Sequence, residues 1–166
     1  MANGGAARYD REHLGVIRRV RVAVGLVVLL LLVFTLVLGL AIPADGGMAP
    51  DHSAGRPVLF LRLDRDYGRG EVICLRLPDG QTVLRRVVAV AGDTVELRDG
   101  VVYINGLAER GNYSITRTAA ASEGPSYPLL LHQGEFFVLA DRREIMTDSR
   151  SLGLLSRLEI LGRVLG

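Results

Sequence analysis

The sequence predicts a mainly β domain, a small barrel or sandwich, preceded by one membrane-spanning helix. Two observations support this fold class. An uncharged run dominated by Val and Leu lies near the N-terminus, and short β-type runs separated by turn signals follow it. With 166 residues, the chain has room for one globular domain after the helix.

The apolar run covers residues 22–42 and contains no charged side chain. At 1.5 Å per residue, its 21 residues span the ~30 Å hydrocarbon core of a bilayer. Arginines at 18, 19 and 21 precede the run, whereas the first positive residue after it is Arg56. Because positive residues favour the cytoplasmic side, we expect the N-terminus in the cytoplasm and the remaining domain outside.

These observations predict three segments: a cytoplasmic tail at 1–19, a transmembrane anchor at 20–42 and an extracytoplasmic domain at 43–166. The polar residues 1–17 are expected to be disordered. A cleaved secretory signal is the alternative, but its apolar region would be shorter, about 7–15 residues. The segment from Ala41 to Ala44 is only weakly compatible with a cleavage site.

Composition excludes several kinds of chemistry. The net charge is only +2 and both signs are spread along the chain, which gives no indication of a nucleic-acid surface. All 20 basic residues are arginine, so no lysine can act as a base or nucleophile. The single Cys74 can form no internal disulfide, and its apolar neighbours predict a buried strand residue. We expect no metal and no cofactor.

After Pro43 a loop rich in Gly, Ala and Asp leads into the β-type runs. Asp99 and Gly100 stand between two of these runs and favour a two-residue type I′ turn. Residues 107–133 lack periodicity and are expected to form a long connection. The predicted strands are 58–63, 72–77, 82–90, 94–97, 101–104, 135–139 and 159–164.

Four segments resemble the conserved boxes of signal peptidase I, the membrane-bound serine-lysine endopeptidase that removes signal peptides outside the cytoplasmic membrane. They are AspGlyGlyMetAlaPro at 45–50, LeuArgArgValValAlaValAlaGlyAsp at 84–93, GlyGluPhePheValLeuAlaAspArgArg at 134–143 and ThrAspSerArgSerLeuGlyLeu at 147–154. Their order, their spacing and the preceding helix all resemble that family. The resemblance implies a β-domain of the signal peptidase I type.

The resemblance also implies that the catalytic positions have changed. Gly47 stands at the position of the nucleophilic serine, and Arg85 stands at the position of the lysine base. Met146 replaces the serine that helps to orient the lysine. Glycine has no hydroxyl, and a guanidinium with a pKa above ~12 cannot accept a proton near neutral pH. We therefore predict that no catalytic dyad is intact.

Other residues of the boxes are predicted to have structural or peptide-binding roles. Asp148 and Arg150 are spaced as a local ion pair, and Arg85 is expected to pair with Asp45, Asp51 or a partner carboxylate. Strands 58–63 and 83–90 could bind an extended peptide by edge pairing, or they could only close the barrel. The candidate residues are Gly47, Met48, Pro50, Arg85, Arg86, Asp141, Asp148, Ser149 and Arg150, with departures from the family pattern at Ala140, Arg142 and Asp51.

Three functions remain open at this point. The first is a non-catalytic accessory that binds secreted or pilin polypeptides at the membrane, as signal-peptidase-like proteins of Gram-positive pilus loci do, with a sortase as a further partner. The second is an active signal peptidase I, for which the adjacent His52 and Ser53 offer only a poorly placed pair. The third is a decaying paralogue without a function of its own.

Overall fold

The computed structural model describes residues 4–64, 66–109 and 117–166. The chain divides into two units, Met1–Val37 and Leu38–Gly166. The first unit is a helix, α1, which extends over Gly4–Leu36. Its segment Gly15–Leu36, of 22 residues, is long and apolar enough to cross a membrane.

The secondary structure differs from the sequence prediction at both ends of this helix. The helix begins at Gly4, where a disordered tail was predicted. It ends at Leu36, and Leu38–Ala41 form the first strand of the second unit rather than the last turn of a helix extending to Ile42. The error has a simple cause, because an apolar segment such as LeuGlyLeuAla suits a buried strand as well as a lipid-facing helix.

The second unit is built mainly from β-strands, as predicted. The strands are β1 (Leu38–Ala41), β2 (Val58–Leu61), β3 (Val72–Arg76), β4 (Thr82–Ala89), β5 (Thr94–Arg98), β6 (Val101–Ile104), β7 (Leu107–Ala108), β8 (Leu129–Leu130), β9 (Glu135–Leu139), β10 (Leu155–Ser156) and β11 (Ile160–Val164). A short helix, α2 (Ser149–Leu152), and a 3₁₀ turn at Arg157–Glu159 complete the unit.

The strands form two antiparallel sheets. The larger sheet has seven strands in the order β1-β2-β11-β3-β4-β9-β10, and the smaller has four in the order β7-β6-β5-β8. Within the described residues neither sheet closes into a barrel. The β5–β6 pairing sets Arg98 opposite Val101, and Asp99 and Gly100 between them have φ values of 52° and 79°. This geometry confirms the predicted type I′ turn.

Neither of the two strands considered for edge pairing with a peptide is the outermost strand of its sheet. β2 lies between β1 and β11, and β4 lies between β3 and β9. Their neighbours come from distant parts of the chain, and the sequence does not reveal that order.

Three apolar clusters form the core. The cluster nearest to the candidate site joins β1, β2, β3, β4 and β11 through Ala41, Met48, Phe60, Cys74, Leu84 and Val164. Cys74 is fully buried within it, as predicted, and burial raises the pKa of its thiol to about 12.

Candidate functional site

The candidate site is centred on the guanidinium of Arg85, a residue of β4. Its side chain is fully buried, and its Nη1 and Nη2 donate to Oδ1 and Oδ2 of Asp45 over 3.0 and 2.6 Å. Nε donates to the carbonyl of Thr147 over 2.8 Å, and Nη1 also donates to the carbonyl of Leu84. The predicted pairing of Arg85 with Asp45 is therefore confirmed, whereas Asp51 is exposed to solvent.

Gly47 lies directly against this ion pair. Its N–H donates to Asp45 Oδ1 over 3.0 Å. A Cβ at this position would stand 2.6 Å from Arg85 Nη1 and 3.1 Å from Asp45 Oδ1. The φ of Gly47 does not lie in the left-handed region, so the restriction is one of space and not of backbone conformation. The guanidinium thus occupies the volume that any side chain at residue 47 would need.

The Asp45 carboxylate is held in its ionised form. Burial raises its pKa, but hydrogen bonds from Arg85 and from the Gly47 N–H, together with the charge of Arg85, outweigh that effect. The pKa of Asp45 consequently lies below its usual value of 3.8. At neutral pH Asp45 is therefore a carboxylate beside the Arg85 guanidinium.

The first half of β4 has a strand on one side only. β3 pairs with residues 82–86, while β9 pairs with residues 86–89. On the other side, the carbonyl of Thr82 accepts the N–H of Ala44 over 2.8 Å, and the carbonyl of Leu84 accepts Arg85 Nη1. Carbonyls two residues apart point to the same edge. The edge of β4 that could have bound an extended peptide is therefore covered by the segment before Gly47 and by Arg85 itself.

A second buried arginine follows Arg85 on the strand. Arg86 donates from Nε and Nη2 to the two oxygens of Asp141 over 2.9 and 2.6 Å, and from Nη1 to the carbonyl of Gly70 over 2.7 Å. The exposed Arg142 follows Asp141, and its N–H donates to the carbonyl of Gly47 over 2.9 Å. The third box thereby contacts the first box at the site.

The predicted ion pair between Asp148 and Arg150 is confirmed, and both side chains are fully buried. Arg150 donates from Nε and Nη2 to Asp148 over 2.9 and 2.7 Å. Asp148 also caps α2 and accepts the N–H of Ala140 over 3.0 Å. Ser149 Oγ accepts the N–H of Val138 over 2.9 Å. These bonds fasten α2 to β9 and hold the Thr147 carbonyl in place behind Arg85.

The remaining predicted residues lie around the ion pair. Met48 is buried in the core, Pro50 is exposed, and Met146 is half-buried, with its carbonyl accepting the Ser151 hydroxyl. His52 donates its N–H to the carbonyl of Met48. In the part of the chain that the structure describes, no hydrogen bond joins the side chains of His52 and Ser53, and no cluster of His, Cys, Asp or Glu could hold a metal ion.

Sequence reasoning missed the partner of Arg86 and the contact of Ala44 with Thr82. A signal for the first was present in ThrValLeuArgArgValValAla, where two arginines interrupt an apolar strand. Buried guanidinium groups require carboxylate partners. The contact of Ala44 has no comparable signal, because backbone groups are the same at every residue.

Comparison with known proteins identifies the class of this domain. The family model described as signal peptidase, peptidase S26 matches residues 16–165. The chain belongs to this family. It is similar to signal peptidase IB from Staphylococcus aureus, with 29% identity over 111 residues that cover 58% of each chain. It is also similar to signal peptidase I P from Bacillus subtilis subsp. natto, with 26% identity over 111 residues that cover 62% of this chain and 60% of the relative.

The chain thus spans less than two thirds of the length of these curated relatives. Among solved structures, a crystal structure of a signal peptidase I from Enterococcus faecalis V583 is similar, with 29% identity and a TM-score of 0.48. The similarity covers 61% of this chain and 97% of that one.

Proposed function

We propose that this chain is a non-catalytic member of the signal peptidase family, which is anchored in the cytoplasmic membrane and binds an extended segment of a secreted polypeptide without cutting it. One observation carries the proposal. The buried Arg85 guanidinium fills the space beside Gly47 in which the side chain of a nucleophile would have to stand.

The chemistry of the site supports this proposal. Hydrolysis by a serine-lysine dyad needs a hydroxyl nucleophile and an amine that can become neutral. Gly47 provides no hydroxyl, and the acceptors around Arg85 are the Asp45 carboxylate and the carbonyls of Leu84 and Thr147. Loss of a nucleophile and its base leaves ~10³–10⁴ of rate enhancement over water, which is too little for protein processing.

Family membership and the apolar helix support the proposed class of partner. A domain that follows a membrane-spanning helix of this family is placed to contact polypeptides that emerge from the membrane. We propose a secreted or pilin polypeptide as the partner, with a sortase as a further component, and an N-terminus in the cytoplasm. The arginines at 18, 19 and 21 support that orientation.

The decisive experiment incubates the purified full chain, in detergent micelles, with a radiolabelled preprotein, beside the signal peptidase IB of S. aureus. We expect no mature product from this chain above the buffer control. The double variant Gly47→Ser with Arg85→Lys tests whether the scaffold supports cleavage when the dyad is restored. Mature product released by the unmutated chain would contradict the proposal and favour an active signal peptidase I.

Binding is tested separately, by photo-crosslinking from position 44 to the same preprotein in proteoliposomes. The matched control has the crosslinker at Gln81, an exposed residue of the loop between β3 and β4. We expect crosslinking from position 44 and none from position 81. Equal or absent crosslinking at the two positions would contradict the binding role.

A further inference from the structure

We infer that the Arg85 guanidinium and the Gly47 N–H form a carboxylate-binding site, which Asp45 occupies as an internal ligand, and that the external ligand is the C-terminal carboxylate of an extended peptide. This inference rests on the proposed binding function, for which it names the group that is recognised. The peptide terminus competes with Asp45 for the same three donors, which are Arg85 Nη1, Arg85 Nη2 and the Gly47 N–H.

The site does not depend on Asp45 for its shape. The Arg85 side chain is fully buried, and the carbonyls of Thr147 and Leu84 fix its guanidinium through Nε and Nη1. The remaining N–H groups of Nη1 and Nη2 form a fork for two carboxylate oxygens, and the Gly47 N–H adds a third donor on one of them. Bidentate guanidinium contacts and backbone N–H groups are the usual receptors for a peptide carboxylate.

Asp45 is suited to leave this site. It lies in the loop between β1 and β2, and its side chain remains 26% exposed although that of Arg85 is fully buried. When Asp45 moves outward its carboxylate regains water, whereas the guanidinium stays buried without its counter-charge. An unpaired buried charge is costly, so an opened site requires another anion.

The neighbouring backbone favours a peptide terminus over a free anion. The Ala44 N–H donates to the Thr82 carbonyl while the carboxylate of the next residue binds Arg85. A C-terminal dipeptide presents the same two groups, a backbone N–H and a carboxylate. They are the N–H of its penultimate residue and its terminal carboxylate, and only one covalent bond fewer separates them than separates the Ala44 N–H from the Asp45 carboxylate. Such a peptide would replace Ala44 and Asp45 and add backbone pairing along β4.

Competition with Asp45 sets the affinity. An internal ligand tethered four residues after the end of β1 has an effective concentration in the millimolar range or above, so the unmutated chain binds a terminus weakly. Removal of the Asp45 carboxylate is expected to open the site and to destabilise the domain at once. An added carboxylate should fill the opened site and thereby restore the stability of the domain.

The test measures thermal unfolding of the full chain in detergent micelles, by near-ultraviolet circular dichroism of its tyrosines. We expect Asp45→Gly to lower the Tm by about 5 °C or more. Excess formate should restore most of that loss, whereas chloride at equal ionic strength should not. The matched control is Asp64→Gly, because Asp64 has a similar exposure of 22% but pairs with Arg163, which is half-buried rather than fully buried. Formate should not rescue this variant.

Peptides then identify the source of the carboxylate. N-acetyl-Ala-Ala should bind Asp45→Gly at least about tenfold more tightly than the unmutated chain, by calorimetric titration. N-acetyl-Ala-Ala-amide should not bind. N-acetyl-Ala-Asp-amide carries its carboxylate on a side chain, and equal binding of this peptide would overturn the assignment to a terminus. If Asp45→Gly does not fold, Asp45→Asn replaces it in every titration.

Equal rescue by chloride and formate, or equal affinity of the acid and the amide, would overturn the carboxylate site. Neither thermal unfolding nor calorimetric titration measures peptide-bond cleavage. Failure here is therefore distinct from failure of the proposed function, which the preprotein cleavage assay reports.

Discussion

Substitution of Gly47 by serine alone is expected to destabilise the domain, although serine is the residue that the family uses for catalysis. The new Cβ would stand 2.6 Å from Arg85 Nη1 and 3.2 Å from Cζ, and both atoms belong to a fully buried group. Overpacking of this kind costs about 1–3 kcal/mol. Disturbance of the ion pair with Asp45 adds to it, so we expect a total of about 2–4 kcal/mol.

The measurement is urea unfolding of the full chain in micelles, followed by tyrosine circular dichroism. Tyr67 is buried in the core of the domain, so the signal reports this unit. The matched control is Gly46→Ser, because a Cβ there would approach only the Arg142 side chain, at 3.8 Å. This control should change stability by less than about 0.5 kcal/mol.

A double-mutant cycle then isolates the contact. Arg85→Lys removes the bulky guanidinium, so the cost of Gly47→Ser should fall in its presence by about 1–3 kcal/mol. Additive effects of the two substitutions, or a Gly47→Ser variant as stable as Gly46→Ser, would refute the steric reasoning.

Two further predictions concern buried groups away from Gly47. Asp148→Ala should lower the free energy of unfolding by about 3–5 kcal/mol in the same urea assay, because it leaves the fully buried Arg150 without its counter-charge. The control Glu96→Ala removes the exposed pair with Arg98 and should cost less than about 1 kcal/mol. A similar cost for both variants would be inconsistent with this account. Cys74 should resist iodoacetamide at pH 8 in the folded chain and react fully in urea, since burial raises its pKa to about 12. Above pH 9 the unfolded state releases this proton and the folded state keeps it, so the contribution of Cys74 to stability should fall between about pH 9 and pH 12 and should be absent in Cys74→Ala. Rapid labelling of the native chain would show that the thiol is not buried.

Much of the β-domain could be predicted from the sequence. Strands with apolar runs of four or more residues, such as β3 and β9, were located within a residue or two. The AspGly pair fixed the β5–β6 turn because few residues adopt positive φ. The strands β7, β8 and β10 were missed because two residues are too few to show a period. The strand β1 was merged with the anchor because both are apolar.

The candidate site was partly predictable, for an electrostatic reason. Arg85 was expected to pair with Asp45, Asp51 or a partner carboxylate, and the structure pairs it with Asp45. The pairing of Arg86 with Asp141 was not foreseen, since many carboxylates could serve and only the fold selects one. The crowding of Gly47 by Arg85 could not be anticipated either, because it depends on the path of the guanidinium and not on residue type.

The position of β1 has a consequence for any cleavage between the apolar helix α1 and the β-domain. β1 begins two residues after α1 ends, and its Gly39 lets the ring of Phe60 pack against the strand. A protease that cut between Ala41 and Ala44 would leave β1 on the fragment that contains α1. The released domain would then expose the unpaired edge of β2 and the ring of Phe60. An exposed sheet edge of this kind favours aggregation. We therefore expect a fragment released by such a cut to lose the native pairing of β2 with β1.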